Sequence, residues 1–304
     1  MHEIGCAGTV RLLEGPMHDI AVPLIDTNAL LLQSETGDGG AFGGALVIGA
    51  ALAAIAAVIR WRLWSIPATP LGRIPVEVPL WMLGAFMSYA AGAFGAAISL
   101  TDDAAYARLA SNVLGNAAQV LAAGIFIARF TRPSERPASS PVRAVLAGVG
   151  AFLLITPVVA SLSIVLNALL VSLGQPRTPD TAHQTLAILA ERRDPMLTAL
   201  TLAHVALLVP IAEEFIWRGM VHPGIRSALG AWPSIAITTL LFTLIHWGAL
   251  APEGRVVGLS MLVALALGLG ILRERTGSVI APIVVHALFN AFNVALTLLK
   301  SPAP

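Results

Sequence analysis

Residues 143–173 read RAVLAGVGAFLLITPVVASLSIVLNALLVSL, and beyond Arg143 no charged side chain occurs before Arg177. As an α-helix the run extends about 45 Å, against roughly 30 Å for the hydrocarbon core of a bilayer. A surface helix of a soluble domain carries a polar face, and this run has none. It reads as a spanning helix long enough to tilt, or to run out of the membrane.

The rest of the chain agrees. Hydrophobic residues are 57% of the 304 and charged residues only 12%, with a mean hydropathy of +0.82. A soluble domain carries about 25% charged residues to keep its surface wetted. Seven further stretches are apolar enough to span or nearly so: roughly 41–59, 79–100, 109–130, 195–212, 231–250, 255–272 and 279–299. Arg, Pro and Gly separate most of them, as expected where a chain turns at an interface. The fold class expected is all-α, a polytopic transmembrane helical bundle of about eight spans.

Three regions follow. Residues 1–40 form a polar N-terminal extension with Glu3, Glu14, Asp19, Asp26, Glu35 and Asp38 and no signal-peptide pattern. Residues 41–175 form N-terminal scaffold helices, and 180–300 a second transmembrane core. Between them, Thr178–Arg193 interleaves Leu186, Ile188 and Leu189 with polar groups and reads as interfacial. A net charge of +1 points to no nucleic-acid partner, and Cys6, the single cysteine, excludes an intrachain disulfide or a Cys-based metal site. Arg60, Arg62 and Arg73 in the first connection, with Arg132, Arg136 and Arg143 in the third, assign odd-numbered connections to the cytoplasm. Arg273 and Arg275 agree, whereas Arg192 and Arg193 do not.

Ionisable groups inside apolar runs are costly, so those present face the bundle interior and usually serve a function. The first four spans hold essentially no carboxylate or histidine, and they read as scaffold. The second half differs. Glu213 and Glu214 follow the apolar run Thr201–Ala212, and Arg218 lies four residues past Glu214 on the same helix face. Glu213 points about 100° away from Glu214. One acid can thus be neutralised by Arg218 while the other faces a cavity as a general base. An interfacial charge cluster capping the fifth span fits the same residues equally well.

His246 shares a face with Phe242, and beside Trp247 it also suits the membrane boundary. His286 and Asn290 are one turn apart in the last span. They form either a helix–helix bond network or a pair of donors to an oxyanion. Asn293 and Thr297 continue that stripe as packing contacts. His204 lies on the face opposite Glu213 and reads as a bundle-internal hydrogen-bonding residue, and His222 near Pro223 reads as interfacial.

The order Glu-Glu-x-x-x-Arg, Phe-x-x-x-His, His-x-x-x-Asn, each on its own apolar helix, resembles the CPBP family of CAAX proteases and bacteriocin-processing enzymes (the Abi family). The resemblance covers roughly residues 180–299, with no departure at the motif positions. It implies intramembrane endopeptidase activity on a membrane-associated substrate, such as a prenylated protein or a small peptide. Glu213 would activate water with help from His246, His286 and Asn290 would stabilise the oxyanion, and Glu214 and Arg218 would hold the first motif in place. Glu213, His246 and His286 could also supply three zinc ligands with a fourth position for water. No His-Glu-x-x-His is present and Asn290 is a poor zinc ligand, so the reading favours a metal-free site. The expected partners are the lipid bilayer and the substrate, and the expected location is multi-pass in a bacterial inner (cytoplasmic) membrane.

Two other classes compete: a non-proteolytic membrane scaffold or bacteriocin self-immunity protein, and a transporter, for which neither broken helices nor an inverted repeat is visible. One tension follows from the spans. A fifth span ending near residue 212 leaves Glu213 at the cytoplasmic side and His246 towards the other. They meet only if the fifth helix runs past Arg218 or the sixth starts deeper.

Overall fold

Asp194-Pro195 and Ser140-Pro141 each place a capping side chain before a proline at the first helical position, where the missing N–H costs nothing. In the computed structural model the Asp194 carboxylate accepts from Met196 N at 2.9 Å and Leu197 N at 3.2 Å, and Ser140 Oγ accepts from Arg143 N at 3.4 Å. The residues described are 39–66, 78–98, 100–130, 139–176, 178 and 194–300. The acidic extension with Cys6, the interfacial stretch beyond Thr178, and Arg73, Arg132, Arg136, Arg192 and Arg193 lie outside them.

The described residues form helices with no strand: α1 Gly39–Arg60, α2 Val78–Ala96, α3 Ala104–Phe130, α4 Pro141–Ser172, α5 Pro195–Leu229, α6 Ala231–Ile245, α7 Arg255–Thr276 and α8 Ile280–Lys300. Six of them (α1, α3, α4, α5, α7 and α8) are long and apolar enough to cross a membrane, and α2 and α6 are two further apolar helices. The polytopic bundle expected from the sequence is what is observed.

The fifth helix corrects the reading of the spans. It does not end near residue 212 but continues through 35 residues to Leu229. Glu213 therefore lies about 27 Å from one end of α5 and about 24 Å from the other, deep in the bundle rather than at an interface. The charges that imitate a helix end, Glu213, Glu214 and Arg218, are all buried, with Glu214 paired to Arg218, and the helix continues past them. This length also removes the tension between Glu213 and His246. Gly230, with φ of +84°, joins α5 directly to α6, a conformation that glycine adopts without Cβ strain.

α5 is the centre. The α2/α3 hairpin, α6 and α8 pack against it, and α7 reaches it through side-chain hydrogen bonds. α4 lies against α7 and α8, with α1 outermost on α4. The main core joins Trp81, Trp217, Met220, Phe242, Leu265 and Phe289, which come from α2, α5, α6, α7 and α8. Gly148 of α4 lets the backbones close up, since a Cβ there would sit 2.8 Å from Ala281 O of α8.

The first, third and seventh connections meet at one end of the bundle. Arg275 NH1 donates to the carbonyls of Arg62, Leu63 and Ser65, and Ser139 Oγ donates to Thr276 O.

Candidate active site

Two carboxylates adjacent in sequence meet opposite surroundings. Glu214 Oε1 accepts from Arg218 NH1 at 2.9 Å and from His286 Nδ1 at 3.0 Å. Both oxygens of Glu213 are buried without a hydrogen-bond partner. Glu213 Oε1 faces His246 Nε2 at 3.8 Å, and Glu213 Oε2 faces His286 Nε2, also at 3.8 Å. These separations exceed a direct hydrogen bond and suit a small group held between. The two neighbouring carboxylates thus differ as their 100° offset allows: Glu214 is anchored by Arg218 and His286, and Glu213 has no hydrogen-bond partner.

The backbone explains the pose of His246. It is the first residue beyond α6, and its own N–H bonds Thr243 O at 3.1 Å. Phe242 O, left without an amide at the helix end, meets His246 Nδ1 at 2.6 Å. A carbonyl only accepts, so Nδ1 donates and Nε2 is turned towards Glu213. His286 is oriented likewise, donating from Nδ1 to Glu214 and turning Nε2 to Glu213.

Phe242 packs against both Arg218 and His246. Its ring lies under the Arg218 guanidinium, 4.8 Å from Cζ to centroid, and 4.8 Å from the His246 ring. Arg218 is 1% exposed and also donates from NH2 to Ala266 O of α7 at 3.2 Å, so its charge is spent inside the protein. Asn290 lies one turn beyond His286 and donates from Nδ2 to Val205 O of α5 at 2.9 Å. Its Oδ1 has no partner, and the amide nitrogen holds a second hydrogen.

The structure thus unites Glu213, Glu214, Arg218, His246 and His286 in one contact set, with Asn290 adjoining through α8. Asn293 and Thr297 bond locally to Phe289 O and Asn293 O, as packing residues do. His204 is buried against Asn116 Oδ1 of α3 at 2.8 Å, a bundle-internal hydrogen bond as expected. His222 corrects the sequence reading. It is 0% exposed rather than interfacial, with Nε2 on Glu274 Oε1 at 2.7 Å and Nδ1 beside Ser234 Oγ at 3.0 Å. Glu274 also accepts from Arg226 at 2.7 Å, which makes a second buried polar cluster across α5, α6 and α7. Sequence reasoning missed Tyr89 of α2, whose ring meets Trp217 at 6.1 Å and whose hydroxyl is buried without a partner. A lone tyrosine in an apolar run gave no signal.

Among the described residues no group of three or more His, Cys, Asp or Glu side chains is arranged to hold a metal ion. The two separations of 3.8 Å exceed the about 3.3 Å spanned by two ligands of a tetrahedral zinc. As placed, Glu213, His246 and His286 do not fit that ion.

Residues 195–292 match the family model described as Type II CAAX prenyl endopeptidase Rce1-like. The match begins at the first residue of α5 and ends within α8, spanning every motif residue, and it agrees with the CPBP resemblance. No curated protein and no solved structure gives a significant match to the chain.

Proposed function

We propose, taking residues 195–292 as a domain of the CAAX prenyl endopeptidase type, that the chain hydrolyses a peptide bond of a membrane-associated substrate through water activated by Glu213. The observation that carries the reading is the Glu213 carboxylate, buried, unpaired, and facing two imidazole Nε2 atoms at 3.8 Å. A scaffold has no use for such a group, since a buried carboxylate without a partner costs stability.

Water held between Glu213 and His246 gives one proton to the Glu213 carboxylate, while its second hydrogen bonds His246 Nε2. The water oxygen attacks the scissile carbonyl carbon, and the carbonyl π pair becomes an oxyanion. With Nδ1–H anchored on Glu214, a proton on His286 Nε2 makes this ring a cationic donor to that oxyanion, joined by the second hydrogen of Asn290 Nδ2. Collapse breaks the C–N bond, and Glu213 returns its proton to the leaving amine. Glu214 and Arg218 touch no substrate and position His286. The substrate class supported by the family match is a protein ending in a prenylated cysteine followed by three residues. The arginine-rich end of the bundle is assigned to the cytoplasm.

The test is release of the C-terminal tripeptide from a farnesylated peptide of that form by the full chain in liposomes. The wild type releases it, and His246→Ala slows release about 10²–10⁴-fold while leaving thermal unfolding nearly unchanged. Absence of release by the wild type, or an undiminished rate in His246→Ala, overturns the proposal.

A further inference from the structure

Two prolines of α5 stand in the same relation to a local break in its hydrogen-bond ladder. Pro210 lies six residues after His204, where the π-turn His204–Leu208 begins, and Pro223 lies six after Trp217, where the π-turn Trp217–Val221 begins. In the first turn Val209 N–H reaches back five residues to His204 O. The next carbonyl is that of Val205, and the amide due to it in this register belongs to Pro210, which has no N–H. In the second turn His222 N–H takes Trp217 O, and the amide due to Arg218 O belongs to Pro223.

A buried carbonyl without a donor is rare because it is costly, and each of these is met from another helix. Asn290 Nδ2 of α8 takes Val205 O at 2.9 Å, and Arg273 Nε of α7 takes Arg218 O at 3.0 Å. The first turn is further tied to α3, where His204 Nε2 meets Asn116 Oδ1 at 2.8 Å. The two freed carbonyls flank Glu213 and Glu214 along the chain. Phe242 O, freed at the end of α6, orients His246 on the same plan.

We propose that Pro210 and Pro223 are positioning residues of the candidate site, acting through the carbonyls they free. Val205 O aims the Asn290 carboxamide, and Arg218 O, held by Arg273, fixes the turn from which Arg218 reaches Glu214. The effect on cleavage rests on the protease reading, whereas the effect on stability does not.

The experiment is a thermal-unfolding cycle on the full chain in detergent, with Pro210→Ala, Asn290→Ala and the double variant. Alanine at 210 supplies a backbone donor to Val205 O, either in the π register or by relaxing the turn. In the Pro210 background Asn290→Ala orphans Val205 O and lowers Tm by on the order of 3 °C. In the Pro210→Ala background the same change lowers it by less than half as much. Equal losses in both backgrounds overturn the proposal. If Pro210→Ala fails to accumulate, the cycle of Pro223→Ala with Arg273→Met decides in the same way.

Cleavage of the farnesylated peptide gives the second readout. Pro210→Ala should hold its Tm at or above wild type, since proline weakens a helix interior, yet lose about tenfold or more in kcat with KM little changed. A merely structural proline would move activity and Tm together. Full kcat in Pro210→Ala, with activity abolished in Glu213→Gln, sinks the positioning role alone. Undiminished cleavage in Glu213→Gln sinks the protease reading, and the unfolding cycle still decides the carbonyl pairing.

Discussion

Helices α1–α4 and helices α5–α8 are similarly apolar in sequence but differ in what they bury. Within the spanning windows of α1, α3 and α4, 17%, 22% and 22% of residues are buried inside the protein, against 39%, 50% and 44% in α5, α7 and α8. The buried polar groups differ in kind as well. Among the described residues, α1–α4 bury neutral side chains such as Ser88, Asn116, Gln119, Ser163 and Asn167. α5–α8 bury Glu213, Glu214, Arg218, His222, His246, Arg273, Glu274 and His286. Hydropathy alone does not tell inside from outside when the solvent is lipid, because an outward Leu and an inward Leu meet equally apolar surroundings. Charge does, because only the protein interior offers a partner.

The contrast is sharpest at Arg218. Arg218→Met leaves the Glu214 carboxylate buried with His286 as its one remaining donor, which costs about 3–5 kcal/mol. Unfolding in detergent is expected at a much lower temperature, with reduced yield. An unchanged Tm would mean that the buried charges of the second half are not what holds it. The seam between the halves comes next. A Cβ at Gly148 would sit 2.7 Å from Val284 Cβ and 2.8 Å from Ala281 O. Gly148→Val is therefore expected to cost about 1–3 kcal/mol by wedging α4 off α8. Indifference to valine would show that the two helices separate freely. The smallest effect belongs to the outer face. Leu52 on α1 is 62% exposed, and Leu52→Ala should change stability by no more than about 0.5 kcal/mol. A larger loss would reveal that α1 packs against something, and the scaffold half would then be less peripheral than its burial indicates.

The bundle was legible because each span needs a long apolar run, and the run at 143–173 has no soluble alternative. The three motifs were legible because an ionisable side chain in such a run has so few roles. The extent of α5 was not legible, because the charges at 213, 214 and 218 imitate an interface when partners on α7 and α8 are unseen. His222 was misread for the same reason: its partner Glu274 is 52 residues away and belongs to another helix. Arg273 looked like one more basic residue at a helix end, yet it reaches inward to a carbonyl that only the π-turn exposes. Pairings across helices decide these positions, and one-dimensional spacing does not encode them.

The account stands most directly on Glu213. The measurement is the rate of tripeptide release from the farnesylated peptide by Glu213→Gln, beside wild type, in liposomes. Glutamine keeps the shape and removes the base, so release should fall by about 10³-fold or more with Tm preserved or raised. Release by Glu213→Gln at the wild-type rate would contradict this role, because among the described residues no other buried carboxylate faces both imidazoles.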